Sequence, residues 1–414
     1  MKKIILITSQ FPYFGGEQFL ETEVKYYNDL KLIIMPKSKT DSVRSIPEDG
    51  IVDNFLLNNS FNKSKFIYLA KSLRYKIFYK ELFSENLLNM KKFKIFLVSI
   101  YQYQMYYEIF DRYFSKVQDV KNVIVYTYWN DEVTYALQSL KDKYQYKLIS
   151  RIHRGDLYKE RRPFNYMPLK KQFTNNIDTV YTITQSANYY LAKIYGFDRS
   201  ILKLSRLGVD DLSIETLPSE QNSLHLVSCS FLTEIKQIDK IIESLEILST
   251  KISHINFTWS HLGGGILYKE LTQLANDKLG NKMNVKFEFL GNLDNKNVYE
   301  FYKMNNVDVF VNVSESEGVP VSIMEAMSCH IPIIAPDVGG IKDMVVDGYN
   351  GILLKKECLV EEIVASLKNI AFFKDKNIRE NSYKIFLEKY DAKKNYKKFI
   401  QDIIEIRRDE YKGQ

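Results

Sequence analysis

The chain has 414 residues, of which 45% are hydrophobic and 26% are charged, and its formal net charge is +7. The composition is that of an ordinary globular protein, and the length exceeds what one hydrophobic core usually fills, so we expect two domains. Three scattered cysteines argue against a disulfide framework and a zinc site. No apolar run reaches the length of a membrane span and the N-terminus shows no signal-peptide pattern, so a cytosolic protein is expected.

Short apolar runs rich in β-branched residues alternate with helical patterns, which is typical of parallel sheets buried on both faces. We therefore predict an α/β protein with Rossmann-like domains at residues 1–208 and 224–385, a turn-rich linker at 209–223 and C-terminal helices at 386–414. The predicted strands of the first domain are 4–8, 31–36, 123–127, 148–152, 180–184 and 201–204, and those of the second are 224–229, 255–259, 285–290, 307–313, 331–335 and 352–354.

Polar turns follow three of the strands predicted for the first domain. After the first strand, Gly15 and Gly16 allow the backbone to approach a ligand closely. Glu17 is expected to begin the next helix, where the helix dipole favours its charge. Trp129 follows the third strand, and it either stacks on a ligand ring or packs within its own loop. His153 follows the fourth, and a lone histidine is usually structural.

Residues 61–116 are strongly basic, and their net charge equals the +7 of the whole chain. Interleaved aromatic residues give this segment the pattern of basic amphipathic helices that rest on an anionic membrane surface. The alternative is that the aromatic side chains pack inward and the lysines are solvated. Nucleic-acid binding is a poorer fit, because no recognition motif accompanies the charge. The aromatic residues are Phe66, Tyr68, Tyr75, Phe78, Tyr79, Phe93, Phe96 and Tyr101.

The most informative stretch is 307–341. A buried strand is predicted to end near residue 313, and Pro320 stands where a helix places its first residue, followed by helix formers. The unpaired N–H groups and positive dipole end of this helix form an anion site at the carboxyl end of the sheet. Phosphate is the natural occupant of such a site.

Two carboxylates accompany this helix start. Glu317 lies in the preceding loop, and Glu325 lies roughly 7–8 Å along the helix from Pro320. Carboxylates beside a phosphate would repel it unless they have another task, and a carboxylate accepts paired hydrogen bonds from neighbouring sugar hydroxyls. The stretch therefore suits a phosphate that lies between two polyols, which describes a nucleotide sugar.

This stretch resembles the signature of retaining glycosyltransferase family 4, which has the GT-B fold. The resemblance rests on Glu317-Gly318-x-Pro320-x4-Glu325-Ala326-Met327, on Ile331-Pro332-Ile333-Ile334-Ala335 and on Gly339-Gly340. It implies two doubly wound Rossmann-like domains that face a cleft, the first binding the acceptor, with the C-terminal helix crossing back to the first domain. It covers nearly the whole chain but is looser over residues 26–122.

The resemblance also implies an activity. It is the metal-independent transfer of a hexose, with retained configuration, from a nucleotide diphosphate sugar, with a UDP-sugar favoured over a GDP-sugar. The acceptor would be a hydroxyl of a growing lipid-linked glycan, and SRIHRGDLY is similar to members that build bacterial surface polysaccharides such as capsule or O-antigen. No cofactor or metal is implied, and the sequence contains no Asp-x-Asp motif. Peripheral contact with the inner membrane face would use residues 61–116.

Site roles follow from the same resemblance. His153 and Glu317 are the expected catalytic residues, both near the transferred sugar. Glu325 would bind the ribose, and Lys236 with the loop and helix amides would bind the diphosphate. The double-glycine loop would line the cleft, and a later turn would face the base through its backbone. The expected donor-binding residues are Gly15, Gly16, Lys236, Gly291, Asn292, Gly318, Val319, Pro320, Val321, Ser322 and Glu325.

One position departs from the family pattern. An arginine is expected five residues before Lys236, but Phe231 occupies that place. Either Lys236 and the helix dipole suffice, with help from Arg206, or phosphate affinity is reduced. Three alternatives therefore stay open: a nucleotide-sugar epimerase, an inverting transferase on the same fold, and a catalytically silent partner that binds glycans or another transferase.

Overall fold

The computed structural model describes residues 2–14, 16–28, 30–60, 64–85 and 87–406. The chain divides into two compact units: unit 1 comprises Met1–Leu207 and Tyr396–Gln414, and unit 2 comprises Gly208–Asn395. Each unit holds one sheet whose strand pairs are all parallel, with helices between the strands. The predicted α/β class with two Rossmann-like domains is confirmed.

The sheet of unit 1 has the order β3-β2-β1-β4-β5-β6-β7. The strand order therefore reverses between β1 and β4, and open α/β sheets bind ligands beyond the carboxyl ends of the strands at such a point. The strands are β1 Lys2–Thr8, β2 Leu30–Pro36, β3 Ile51–Val52, β4 Val123–Thr127, β5 Lys147–Ile152, β6 Thr179–Thr182 and β7 Leu202–Leu204.

The longest helix of unit 1 is α5, Met90–Phe114, and the Asn89 side chain caps it by accepting the N–H groups of Lys91 and Lys92. Its inner side joins the main hydrophobic core of the unit. The helices are α1 Phe19–Glu23, α2 Phe55–Asn59, α3 Lys65–Ser72, α4 Lys76–Ser84, α5, α6 Glu132–Tyr144, α7 Arg154–Leu157 and α8 Gln185–Tyr190.

The aromatic and apolar side chains of the basic segment 61–116 divide into a buried and an exposed set, and residues 61–63 and 86 lie outside the described residues. Tyr68, Phe78, Phe96 and Tyr101 are buried in the core of unit 1. Other apolar side chains of α3, α4, the turn before α5 and the start of α5 are exposed: Phe66 and Phe83 are each 80% exposed, Leu88 is 88% exposed and Met90 is 69% exposed. Among the described residues, no helix is both long and apolar enough to cross a membrane.

A fully buried ion pair lies on the other face of the unit 1 sheet. The Arg151 guanidinium in β5 is 3.1 Å from the Glu23 carboxylate, and neither side chain is exposed. Arg151 also donates to the Tyr126 hydroxyl and to the Ser205 carbonyl, and its guanidinium lies 4.4 Å from the centre of the Phe399 ring. The sequence predicts a strand at residues 148–152, but no local pattern indicates this buried ion pair.

The sheet of unit 2 has the order β10-β9-β8-β11-β12-β13, so its strand order reverses between β8 and β11. Its core lies between this sheet and the flanking helices. The strands are β8 Ser223–Cys229, β9 Asn256–Leu262, β10 Val285–Phe289, β11 Val309–Val311, β12 Ile333–Pro336 and β13 Gly351–Leu354. The helices are α9 Asp239–Lys251, α10 Tyr268–Leu279, α11 Asn295–Met304, α12 Val321–Ser328, α13 Val360–Leu367, α14 Ile370–Lys374 and α15 Lys376–Lys389.

Helix α16, Ala392–Glu405, is the last described helix. It begins in unit 2 and ends in unit 1. There Phe399, Ile400 and Ile403 are buried in a hydrophobic cluster with residues of β1, β2 and β4. Residues 209–222 form no regular helix or strand and pack on unit 2. There, for example, Thr216 bonds the carbonyls of Cys329 and Tyr302.

Some strands and helices begin or end a few residues away from the positions that the sequence predicts. The strand predicted at 307–313 is shorter, because the Asn312 side chain accepts the Ser314 N–H and turns the chain out of the sheet. Strand β9 runs on to Leu262, beyond the predicted end at residue 259. Pro320 is the residue before α12 rather than its first residue, since its ψ of 124° is extended.

Candidate functional site

The candidate site of unit 2 lies beyond the carboxyl ends of β8 and β11, where the strand order reverses. The loop after β8 ends in a short 3-10 helix, Glu234–Lys236, and the loop after β11 carries Glu317. The Lys236 ammonium lies 2.5 Å from Glu317 Oε1, and the Asn312 amide donates to the same oxygen at 3.2 Å. The structure thus brings together two of the predicted site residues from loops 81 residues apart.

The loop that holds Glu317 rests directly on the double glycine. The Gly340 N–H donates to the Gly318 carbonyl at 2.7 Å. Gly339 has a φ of +61°, and a Cβ atom there would lie 2.1 Å from the Glu317 carbonyl oxygen. A side chain at this position would displace the Glu317 loop. Gly339 is therefore needed for this loop, and for the Glu317 carboxylate that it carries, to lie where the structure has them.

Helix α12 begins immediately after this loop without a side-chain cap. Pro320 precedes the helix and has no N–H, and its side chain makes no capping hydrogen bond. The first N–H groups of an α-helix, here from Val321 and Ser322 onward, have no carbonyl partner within the helix. Val321 and Ser322 are half-buried, while Val319 is buried beneath the loop. An oxyanion is the ligand that such a helix start binds best.

Glu325 lies in the second turn of α12 and is only 6% exposed. The Asn295 amide, at the start of α11, donates to Glu325 Oε1. Burial raises the pKa of Glu325 to about 8, although this hydrogen bond opposes the rise. In the free protein this carboxyl group is therefore mostly neutral at pH 7. The sequence offered no signal for Asn295, because its contact depends on how two helices pack.

The predicted base-facing turn joins the glycine-rich loop after β9. The Gly291 carbonyl accepts the Gly263 N–H, and the Asn292 side chain accepts the Gly264 N–H, both at 2.8 Å. Gly263 has a φ of +140°, and a Cβ atom there would lie 1.9 Å from the Ser230 carbonyl oxygen. These contacts tie three loops together at the same edge of the sheet. The Asn292 side chain is therefore already occupied in holding the turn.

Phe231 is 62% exposed in the loop after β8. An apolar side chain stands where the resemblance leads us to expect arginine. Arg206, the helper considered from the sequence, belongs to unit 1. Within this loop of unit 2, the positive charge comes from Lys236, which is already paired with Glu317.

His153 follows β5 in unit 1 and is buried between two aromatic rings. Its ring centre is 4.6 Å from that of Tyr128 and 4.7 Å from that of Trp129. Among the described residues, neither ring nitrogen makes a hydrogen bond of normal geometry. Burial, with a smaller contribution from the Arg151 charge, lowers the pKa of His153 to about 3. The imidazole is therefore neutral at physiological pH and is restricted to donating or accepting hydrogen bonds.

The prediction that Glu17 begins a helix is wrong, since α1 begins at Phe19 and Glu17 has a φ of +57°. Its buried carboxylate instead accepts the N–H groups of Ser9, Gln10 and Phe11 at 2.7–2.8 Å. A carboxylate can replace helix or sheet partners for such turn amides, which explains its position here.

The same carboxylate accepts the Trp129 indole N–H at 2.5 Å, so Trp129 packs within the loops beyond β1 and β4. This agrees with the second of the two roles considered for Trp129. Gly16 is half-buried next to Glu17, and Gly15 lies outside the described residues.

The second half of the chain is similar to known glycosyltransferases. Residues 211–385 match the family model described as glycosyl transferases group 1. The chain is 34% identical over 130 residues to an uncharacterised glycosyltransferase of Methanocaldococcus jannaschii, a match covering 31% of this chain and 35% of that protein. A second one from the same organism is 26% identical over 242 residues, covering 55% and 59%. The chain thus spans about a third to three fifths of these relatives.

Solved structures resemble the chain over almost its full length. The lipopolysaccharide outer core galactosyltransferase WaaB has a TM-score of 0.66 at 15% identity, covering 97% of this chain and 99% of that one. Anabaena HepE in complex with UDP-glucose has a TM-score of 0.62 at 15% identity, with the same coverage. Residues 211–385 therefore match a glycosyltransferase group 1 domain, and the two parallel-sheet units of this chain have the same fold as these GT-B glycosyltransferase structures.

Proposed function

We propose that the protein is a retaining, metal-independent hexosyltransferase of glycosyltransferase family 4. Its donor is a nucleotide diphosphate sugar, with UDP-sugars preferred to GDP-sugars, and its acceptor is a hydroxyl of a growing, lipid-linked bacterial surface glycan. One observation carries the proposal: Lys236, Glu317 and the uncapped start of α12 meet at the point where the strand order of unit 2 reverses. Cation, helix dipole and carboxylate suit the diphosphate and the sugar of one donor molecule.

The roles of the two glutamates follow from their surroundings. Glu317 is held by Lys236 and Asn312 through one oxygen, and it positions the sugar hydroxyls with the other. Glu325, one and a half turns into α12, accepts the ribose hydroxyls. An ammonium group has three N–H donors, so Lys236 can keep its bond to Glu317 and also donate to a phosphate oxygen.

The reaction breaks the bond between the anomeric carbon and the diphosphate oxygen and forms a bond to the acceptor oxygen on the same face of the sugar. The departing phosphate oxygen gains negative charge and takes the proton of the acceptor hydroxyl. Lys236 and the amides of α12 stabilise that developing charge more than the ground state, which lowers the barrier. His153 forms a hydrogen bond with a hydroxyl of the transferred sugar. Its imidazole does so in the neutral form, because its pKa of about 3 keeps it uncharged.

The donor and acceptor preferences draw on the structural relatives. HepE has been solved with UDP-glucose, which supports a UDP-sugar. WaaB acts on the lipopolysaccharide outer core, as its name states, which supports a glycan acceptor at the bacterial surface.

A lipid-linked acceptor requires the enzyme to work at a membrane surface, and α4 of unit 1 has a suitable outer face. Lys76, Tyr79, Lys80 and Phe83 repeat at helical spacing, and all four side chains are exposed. Phe66 and Leu88 add exposed apolar groups from α3 and from the turn before α5. Aromatic side chains among lysines match the interface of an anionic bilayer, so we place the protein on the inner membrane face.

The proposal is tested with the purified full chain, a panel of UDP- and GDP-sugars and a glycan acceptor extract. We expect release of the nucleoside diphosphate with a UDP-sugar, an NMR coupling in the product that matches the donor anomer, and full activity in excess EDTA. Inverted configuration would identify an inverting enzyme, and conversion of the donor without acceptor would identify an epimerase. Absence of nucleotide binding and release with every donor would leave the silent binding partner as the correct assignment.

A further inference from the structure

One cavity is lined only by residues of unit 1 and lies outside the proposed donor site of unit 2. Its volume is about 470 Å³, within the range of small-molecule sites. One wall is a face of α5 on which Ile95, Val98, Ser99 and Gln102 recur at helical spacing. The opposite side is formed by the residues after β4 and by the segment between α7 and β6.

The floor of the cavity is a buried polar cluster around Lys170, which has no exposed surface. Its ammonium donates to the main-chain carbonyl of Asn130 at 3.0 Å, to Asn130 Oδ1 at 3.1 Å and to the Asp156 carbonyl. These bonds satisfy the three N–H donors of the ammonium and fix the orientation of the Asn130 amide. Lys170 is therefore a structural part of the floor.

The same arrangement leaves a buried donor without a partner. Asn130 is 1% exposed, and its Nδ2 has no hydrogen-bond partner among the described residues. A buried amide donor without a partner destabilises the protein, and a ligand oxygen that accepts from it would remove that penalty. The cavity therefore offers a fixed N–H donor to a ligand.

Carboxylates and apolar surfaces complete the lining. Glu132 accepts the Ser99 hydroxyl at 2.7 Å and Asp156 accepts two main-chain N–H groups. Burial raises the pKa of both carboxyl groups, and hydroxyl donors from a ligand would favour their ionised forms. Tyr135 and Tyr166 line the cavity beside Ile95 and Val98 and supply apolar surface. A sugar ring matches this lining, since it has hydroxyl groups at its edge and C–H groups on its face.

We propose that this cavity binds one sugar ring of the glycan acceptor, with hydroxyl groups bonded to Asn130, Glu132 and Asp156. This inference rests on the proposed function and assigns part of its acceptor specificity to unit 1. The α5 wall, residues 95–102, lies within the basic segment 61–116, so a sugar in the cavity would lie against a helix of the proposed membrane-contacting region.

The test uses the full chain and a panel of α- and β-methyl glycosides of glucose, galactose, mannose and their N-acetylhexosamines. Saturation-transfer NMR should detect binding of at least one glycoside.

Variants locate the binding site. Val98 lines the cavity and is 47% exposed, so Val98→Trp should block the cavity and abolish the saturation-transfer signal. Glu132→Gln keeps the side-chain shape and should weaken binding about tenfold, as expected for loss of a charged acceptor. Met90→Trp, on the same helix outside the cavity, should bind like wild type.

UDP-induced thermal stabilisation is measured in parallel, because it reports on unit 2 and not on the cavity. Absence of glycoside binding, or unchanged binding in Val98→Trp, would overturn the cavity assignment even when UDP still stabilises the protein. Normal sugar transfer by Val98→Trp would also overturn it. Failure of every nucleotide sugar to bind would instead overturn the proposed function.

Discussion

Lys236 and Glu317 form an ion pair, 2.5 Å between Nζ and Oε1, across the two strands between which the strand order of unit 2 reverses. One residue follows β8 and the other follows β11. The Glu317 side chain is nearly buried, while the Lys236 side chain remains partly exposed. The pair orients the carboxylate before any ligand binds, and preorganised charge of this kind is effective in catalysis because it needs no rearrangement during the reaction.

Glu317→Ala should lower the transfer rate by roughly 10²-fold, as expected for losing one contact that acts in the transition state. The rate falls for two reasons, because the sugar loses a hydrogen-bond acceptor and because Lys236 loses the carboxylate that orients it. Initial rates at saturating donor give the measurement. Glu315→Ala is the matched control, because Glu315 is exposed in the same loop and should retain wild-type rates. Unchanged turnover in Glu317→Ala would remove Glu317 from the mechanism.

UDP affinity should rise with pH up to about 8 and then level off. In the free protein the pKa of Glu325 is raised to about 8 by burial, so the group is protonated below that pH. Ribose hydroxyls donate to the ionised carboxylate, so binding lowers this pKa and releases a proton. The dissociation constant should therefore fall by up to about tenfold per pH unit on the acid side.

Calorimetric titration of UDP between pH 6 and 9 measures this dependence. Glu325→Gln serves as the reference, because the difference between the two proteins cancels the titration of the nucleotide itself. We expect the variant to bind more weakly at pH 8 and to lack the extra slope. Identical pH dependence in both proteins would show that Glu325 does not contact the ribose.

His153→Ala should reduce the rate about 10²-fold, whereas the shape of the pH–rate profile should not change. The pKa of His153 is lowered to about 3, so the ring stays neutral and its charge does not change in the assay range. His153→Gln, which keeps hydrogen-bonding groups, should recover part of the rate. His254→Ala is the control, since His254 is exposed in unit 2. A profile limb that disappears in His153→Gln would contradict a neutral imidazole.

The sequence sufficed for the parts of the site that are local along the chain. A buried strand, a loop and a helix start follow one another within 307–328, and the spacing of Glu317 and Glu325 placed both carboxylates near the start of α12. The partner Asn295 was missed because its contact with Glu325 depends on how two helices pack. Asn312 was missed although it lies only five residues before Glu317, because the turn that brings the two side chains together has no local sequence signal. Short apolar runs rich in β-branched residues likewise predicted most strands of both sheets.

Buried polar groups were the main failure of sequence reasoning. Glu17 was assigned to a helix because acidic residues favour helix starts, yet three turn amides compete for its carboxylate and hold it in a left-handed conformation. Arg151 lay inside an apparently apolar strand. Its partner Glu23 comes from another element, and no local pattern joins residues so far apart in sequence.

Arg151→Met should reduce the free energy of unfolding of unit 1 by about 3–5 kcal/mol, because it leaves the Glu23 carboxylate buried without its cation. Urea denaturation followed by circular dichroism gives the shift. Adding Glu23→Gln to this variant should restore part of the loss, since no uncompensated charge then remains. The exposed pair Lys376–Glu380 supplies the control, and Lys376→Met should change stability by less than about 0.5 kcal/mol. Equal effects of the two substitutions would contradict a special role for the buried pair.

The exposed aromatic residues of α3 and α4 should drive binding to anionic membranes. Phe66 and Phe83 are each 80% exposed, and burying a phenylalanine side chain contributes about 1.5–3 kcal/mol. Phe66→Asp combined with Phe83→Asp should therefore weaken binding to phosphatidylcholine–phosphatidylglycerol vesicles by at least about 100-fold in a flotation assay. Met283→Asp, at a fully exposed apolar residue of unit 2, should have no effect.

Wild-type binding should fall at high salt and in vesicles of phosphatidylcholine alone, because the lysines of the segment act through charge. Binding that survives the double substitution would show that these helices face solvent rather than lipid.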